Sequence, residues 1–133
     1  VWLRANRPIL ASEYVAVANN AMPLRPSTDT EVLQQVGGKG LMITNFAAGQ
    51  QLTYQVCVPE NSTEFTLRYC GYSNSICEVL VDGVSQNYID MPRNGSSTEW
   101  VEAKAPLSIS EGKHTVTLKL FSGSCYLSAF EIK

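Results

Sequence analysis

Through most of this chain apolar residues alternate with polar ones at a period of two, the spacing of strands that bury one face and expose the other. Over residues 51–58, Leu52, Tyr54, Val56 and Val58 fall on one face, while Gln51, Thr53, Gln55 and Cys57 fall on the other. The same pattern places Phe65, Leu67 and Tyr69 inward over residues 64–70, and Val116, Leu118 and Leu120 inward over residues 115–120. Shorter β-prone runs over 41–46, 77–82, 84–90, 100–109 and 126–132 are bounded by turn residues and bring the strand count close to nine. Asp82-Gly83 is a tight-hairpin dipeptide, Pro59-Glu60-Asn61-Ser62 and Glu111-Gly112 join strands, and Pro92-Arg93-Asn94-Gly95 opens a longer loop. No dozen residues carry apolar spacing of three and four between caps, so helix is limited to a turn or two. The Pro- and Asn-rich stretch 19–29 reads as a long loop. Repeated short strands joined by hairpins describe an all-β chain, an antiparallel β-sandwich.

With 133 residues, 44% of them hydrophobic, the chain has the size of one domain with one core. Residues 1–8 read as a lead-in and 9–133 as the domain. A formal charge of -2, without a block of five like charges, argues against nucleic acid. No apolar run approaches the roughly 20 residues of a membrane span, so no membrane partner is expected. The chain opens with Val1 and shows no signal pattern, as a mature fragment or an excised module would.

Four cysteines, Cys57, Cys70, Cys77 and Cys125, suit a secreted protein, and their spacing matches no zinc pattern. Cys70 and Cys77 flank one hairpin and form the expected bridge, with Cys57 a buried free thiol, although four cysteines allow three complete connectivities. Asn61-Ser62-Thr63 and Asn94-Gly95-Ser96 are glycosylation sequons if the source is a secreting eukaryote. Signs of catalysis are weak. The single histidine, His114, lies in a strand with no evident nucleophile, and Asp82, Asp90, Glu99 and Glu102 form no distinctive carboxylate pair. Val36-Gly37-Gly38-Lys39-Gly40 lacks the spacing and the helix of a phosphate loop.

Read in order, Ile9-Leu10-Ala11-Ser12-Glu13-Tyr14, the run Gly49-Gln50-Gln51-Leu52-Thr53-Tyr54-Gln55-Val56-Cys57-Val58-Pro59, the strand from Phe65 to Tyr69, Val81-Asp82-Gly83, Trp100, and Glu111-Gly112-Lys113-His114-Thr115-Val116 form a series. It resembles family 6 and family 35 carbohydrate-binding modules. The resemblance spans residues 9–132 and implies a jelly-roll, galactose-binding-domain-like sandwich that binds polysaccharide and is attached to a glycoside hydrolase. It also implies that Trp100, aligned with the second tryptophan of a W-x-x-W pair, belongs to the core.

Departures fall at the family's functional positions. Ser97 stands where one aromatic platform is usual, Asn45 lies near the place of a second, and Tyr126 falls near a customary Asn. The opening carboxylates of a structural calcium site correspond to Leu10 and Ser12, and its late acid to Ser128, so no calcium of the family type is expected.

A pyranose presents an apolar face and a rim of hydroxyls, so its receptor needs aromatic surface with directional polar groups beside it. In the expected topology the hairpin 71–76, the loop 91–99 and the turn 122–125 emerge at one end. Tyr72 and Tyr126 are then candidate stacking residues, with Asn45, Arg93, Asn94 and Ser97 as candidate hydroxyl contacts. Each tyrosine also has a reading as an edge residue with its ring on the core, and Arg93 one as a solvated side chain. A second candidate surface is the polar strand face of Thr53, Gln55, Thr66, Arg68, Thr117 and Lys119, joined by Tyr88. Trp2 lies outside the matched region. The expected protein is therefore a secreted, monomeric, noncatalytic module for a xylan, β-glucan, mannan or galactan. The alternative is a structural or protein-interaction sandwich that has lost sugar binding, motivated by Asn45 and Ser97.

Overall fold

A computed structural model of the chain describes residues 2–19 and 23–133. Its strands are β1 (Leu3–Arg4), β2 (Ile9–Leu10), β3 (Ala16–Ala18), β4 (Leu24–Pro26), β5 (Leu41–Ala47), β6 (Gln51–Val58), β7 (Ser62–Cys70), β8 (Ser75–Val81), β9 (Val84–Met91), β10 (Val101–Ile109), β11 (Gly112–Ser122) and β12 (Ser124–Ile132), with one helix, α1 (Thr30–Gln35). Sheet A runs β1-β6-β11-β8-β9, with β3 also on β6, and sheet B runs β10-β7-β12-β5-β4, with β2 also on β12. Every pairing is antiparallel except β1 with β6, through which the lead-in residues Leu3 and Arg4 join sheet A.

The inward faces are those expected from the alternation. Leu52, Tyr54 and Val56 of β6, Phe65 and Leu67 of β7, and Val116, Leu118 and Leu120 of β11 are all inaccessible to solvent. At the centre Phe130 of β12 meets Tyr54 edge-on at 4.8 Å and stacks on Phe65 at 5.2 Å, while the Tyr54 hydroxyl donates to the Ala11 carbonyl at 2.7 Å. Burial raises the Tyr54 phenol well above its ordinary range. At the expected Asp82-Gly83 hairpin both residues have positive φ, 53° and 80°, the conformation a two-residue type I′ turn requires. Gly123 turns the chain from sheet A to sheet B with φ 83°, and a Cβ there would overlap the Asn74 carbonyl and Ser75.

Three features differ from the sequence reading. Part of the 19–29 stretch is not loop: β4 pairs with β5, and Pro26 is tolerated because β4 lies at the edge of sheet B, where a missing N–H breaks no ladder. Trp100 is not core. It sits half-buried just before β10, and its indole N–H donates to Thr28 Oγ1 at 3.1 Å. The Cys70–Cys77 bridge is not formed, and all four cysteines are free thiols. Cys77 points into the core between the sheets, whereas Cys70 pairs with Tyr126 on the outer face of sheet B, so strand alternation aims the two sulfurs apart. Cys57 is half-buried, and burial pushes the Cys77 thiol up to about 12 and the Cys70 thiol to about 11.

The outer face of β7 is also less open than alternation implies. Val32 of α1 packs on Leu10 and Ala129, covering the middle of sheet B. Beneath it the Arg68 guanidinium donates to both carboxylate oxygens of Asp29, at 3.0 and 2.7 Å, and the Ser128 hydroxyl donates to Asp29 at 2.7 Å. Asp29 is 1% exposed. Its hydrogen bond to Arg68 is the main cause that raises the guanidinium pKa further.

Candidate functional site

A cleft of about 280 Å³ opens where β7 ends, β8 and β12 begin, and β5 passes alongside. It is lined by Thr44 and Asn45 of β5, by Gly71, Tyr72 and Ser73 of the β7–β8 turn, and by Ser124, Cys125 and Tyr126 of β12. Three sequence candidates, Asn45, Tyr72 and Tyr126, thus come together from segments far apart in the chain. Tyr72 is 58% exposed, so its ring is not spent on the core. Tyr126 is half-buried, and burial raises the pKa of the Cys125 thiol beneath, keeping it neutral.

Arg93, Asn94 and Ser97 lie outside the lining, and two of them brace it. Asn94 Oδ1 accepts the Gly71 N–H at 2.9 Å, and the Gly71 carbonyl accepts the N–H groups of Asn94 and Gly95 at 3.2 and 2.9 Å. Asn94 Nδ2 donates to the Glu99 carbonyl at 2.6 Å, and the Arg93 N–H donates to Asn74 Oδ1 at 3.0 Å. Loop 91–99 therefore holds the Tyr72 turn in place. Arg93 projects an exposed side chain, and Ser97 is half-buried within the loop. Asn-Gly at 94–95 marked a turn, but nothing local marked its partner as Gly71.

The second candidate surface divides. Thr53, Gln55, Thr117 and Lys119 lie on the outer face of sheet A, while Thr66 and Arg68 belong to sheet B, with Thr66 buried and Arg68 committed to Asp29. Gln51, Lys119, Glu78 and Tyr88 form one cross-strand row on sheet A. Beside it Phe121, which sequence reasoning did not single out, meets Tyr88 edge-on at 5.7 Å, and the two rings are 60% and 50% exposed. Continuing the 115, 117, 119 alternation by one step would have placed Phe121 there.

At the opposite end, His114 Nδ1 lies 2.7 Å from Asp82 Oδ2, and Nε2 lies 2.8 Å from the Ser110 carbonyl and 3.2 Å from its hydroxyl. The set has the membership of a catalytic triad but not its chemistry. A carbonyl oxygen only accepts, so Nε2 carries a proton and cannot serve as the base. Burial opposes charge on His114, yet the Asp82 hydrogen bond and the Ser110 carbonyl outweigh it and raise its pKa. The same hydrogen bond, with the Thr115 N–H, lowers that of Asp82. The pair is a clamp between the β8–β9 hairpin and the β10–β11 connection, which crosses from sheet B to sheet A.

The residues at the family's calcium positions do not fit a hard divalent cation. Leu10 is a buried hydrocarbon, and the Ser128 hydroxyl is given to Asp29, whose oxygens are already occupied by Arg68. Among the described residues no three His, Cys, Asp or Glu side chains are grouped to hold a metal. Nor, among those residues, is any helix long and apolar enough to cross a membrane.

No family model matches the sequence, and no curated protein does. Solved structures do. The module CsCBM6-3 of Clostridium stercorarium, in complex with cellobiose, superposes with a TM-score of 0.82 at 18% identity, covering 100% of this chain and 97% of that one. A β-1,3-glucan binding CBM6 from Bacillus halodurans gives 0.82 at 16% identity, covering 100% and 99%. A glycoside hydrolase family 43 arabinoxylan arabinofuranohydrolase from Bacillus subtilis, in complex with cellotetraose, gives 0.81 at 14% identity, where this chain covers 28% of the enzyme. The chain has the β-sandwich fold of the family 6 carbohydrate-binding modules.

Proposed function

We propose that the chain is a noncatalytic carbohydrate-binding module and that the cleft between β5 and the Tyr72 turn holds the glycan. The observation that carries this reading is the convergence of Tyr72, Tyr126 and Asn45, two rings and an amide, at one concave site on a fold whose solved examples include sugar complexes. Tyr72 offers a face to the sugar ring, and Asn45, Thr44 and Ser73 offer donors and acceptors to its hydroxyls. The glycan is of the xylan, β-glucan, mannan or galactan type. In this reading the module is secreted, acts as a monomer, and raises the local concentration of an attached glycoside-active domain at its polymer. The small share of the Bacillus subtilis enzyme that it matches supports such an arrangement.

Affinity electrophoresis against these four polysaccharides tests the reading. Retardation on at least one, lost in Tyr72→Ala or Tyr126→Ala with an unchanged circular dichroism spectrum, is the expected result. Binding that persists in both variants moves the site elsewhere, and the outer face of sheet A is the place favoured by the exposed Tyr88–Phe121 pair. Binding lost in Tyr88→Ala and Phe121→Ala instead would establish that face. No binding by the folded wild-type protein supports the structural or protein-interaction alternative.

A further inference from the structure

The three segments that build the cleft are almost free of ionisable groups. Strand β5 (Leu41–Ala47) has no Lys, Arg, His, Asp or Glu, and neither has the turn from Gly71 to Asn74. Strand β12 has only Glu131, which pairs with Thr66 and lines a separate cavity at the other end of the molecule. On sheet B Arg68 is paired with Asp29, and Arg93 and Arg25 lie outside the lining. The one thiol in the lining stays protonated.

Given that the cleft binds glycan, as proposed above, we infer that it selects short neutral segments and rejects uronate-bearing chains. A carboxylate entering it would lose water and find no cation among the lining residues, Arg93 standing outside them on loop 91–99, whereas a neutral sugar exchanges hydroxyl–water bonds for bonds to Asn45, Thr44 and Ser73. The 280 Å³ volume lies at the lower edge of the roughly 300–1,000 Å³ range of small-molecule pockets, so it accommodates on the order of one to two rings. Rings beyond these remain in solvent and add little.

Isothermal titration with cello-, xylo-, manno- and galacto-oligosaccharide ladders, set beside tri-galacturonate, tests this on the wild-type protein. At least one neutral ladder should bind, with affinity rising to about the disaccharide and then flat. It should change less than twofold between 0.05 and 0.5 M salt, roughly as expected for a site without ion pairs. Tri-galacturonate should bind at least about tenfold more weakly, and Ser73→Lys should narrow that gap by supplying the missing cation. Uronate binding as tight as neutral binding, and lost in Tyr72→Ala, would overturn the selectivity while leaving the site intact. Affinity still climbing at the hexasaccharide would overturn the short footprint. Silence toward both classes, or binding unchanged in both tyrosine variants, would remove the underlying site and this inference with it.

Discussion

The outer faces of the two sheets carry similar alternating polar residues but have different fates. On sheet A, Thr53, Thr117, Lys119 and Glu78 look outward beside two exposed aromatic rings. On sheet B, Thr66 and Arg68 stand in the equivalent alternation, yet α1 and Asp29 cover them and turn that face into a second, smaller core. Local pattern decides which side chains share a face. What covers the face is decided by a segment more than thirty residues away in the chain, as the Asp29–Arg68 separation of 39 shows.

The comparison can be broken most sharply at Asp29. Asp29→Ala removes both short hydrogen bonds of a guanidinium that is only 13% exposed and leaves it only the exposed Glu31, 3.5 Å away, so urea denaturation should show a loss of about 3 kcal/mol, as for other broken buried pairs. Lys119→Ala on sheet A should change stability by less than about 0.5 kcal/mol in the same assay. A smaller loss, about 2 kcal/mol, is expected for Gly123→Ala, where a methyl group meets both an unfavourable φ and the Asn74 carbonyl. Thr66→Val sharpens the contrast in the other direction. The Thr66 hydroxyl is the one buried side-chain oxygen or nitrogen among the described residues without a hydrogen-bond partner, and its removal should stabilise the protein by about 1 kcal/mol.

The smallest effect belongs to the His114–Asp82 clamp. His114 has a raised pKa, so its contribution is fully present below 6.5 and is lost as pH rises through the folded-state value. Asp82 has a lowered pKa, so its contribution is present above 3.8 and is lost as pH falls through its own folded-state value. A melting series from pH 3 to pH 9 should therefore peak between about 4 and 6.5, and His114→Gln should flatten the alkaline side of that peak. An unaltered alkaline slope in the variant would assign it to other groups.

The inward sets of β6, β7 and β11 and the Asp82-Gly83 turn were legible because each follows from local pattern: period-two burial, and a turn dipeptide suited to positive φ. The gathering of Asn45, Tyr72 and Tyr126 was legible through family resemblance, but not through the expected hairpins: from β5 to β12 only β8 and β9 are consecutive strands that pair, and the other connections cross between the sheets. What escaped depended on contacts between distant segments. Trp100 was placed in the core by alignment, but its indole N–H meets Thr28 instead. Cys70 and Cys77 flank one hairpin in sequence but sit on different sheets with opposite orientations. Asn94 had the chemistry of a hydroxyl contact, and its amide instead bridges Gly71 and Glu99, outside the cleft lining. Thr28 lies 72 positions from Trp100 and Gly71 lies 23 from Asn94, so no local pattern could name either partner.

The brace at Gly71 also governs the timing of events on encounter. Its N–H and C=O are both engaged by loop 91–99, so the turn bearing Tyr72 is fixed when the domain folds. In the proposed reading a glycan would meet a ring already in position, the entropy of ordering that loop having been lost before it arrives. Association would then be limited by diffusion and orientation, without a slow rearrangement step, and differences in affinity among glycans would fall mainly on how fast each one leaves.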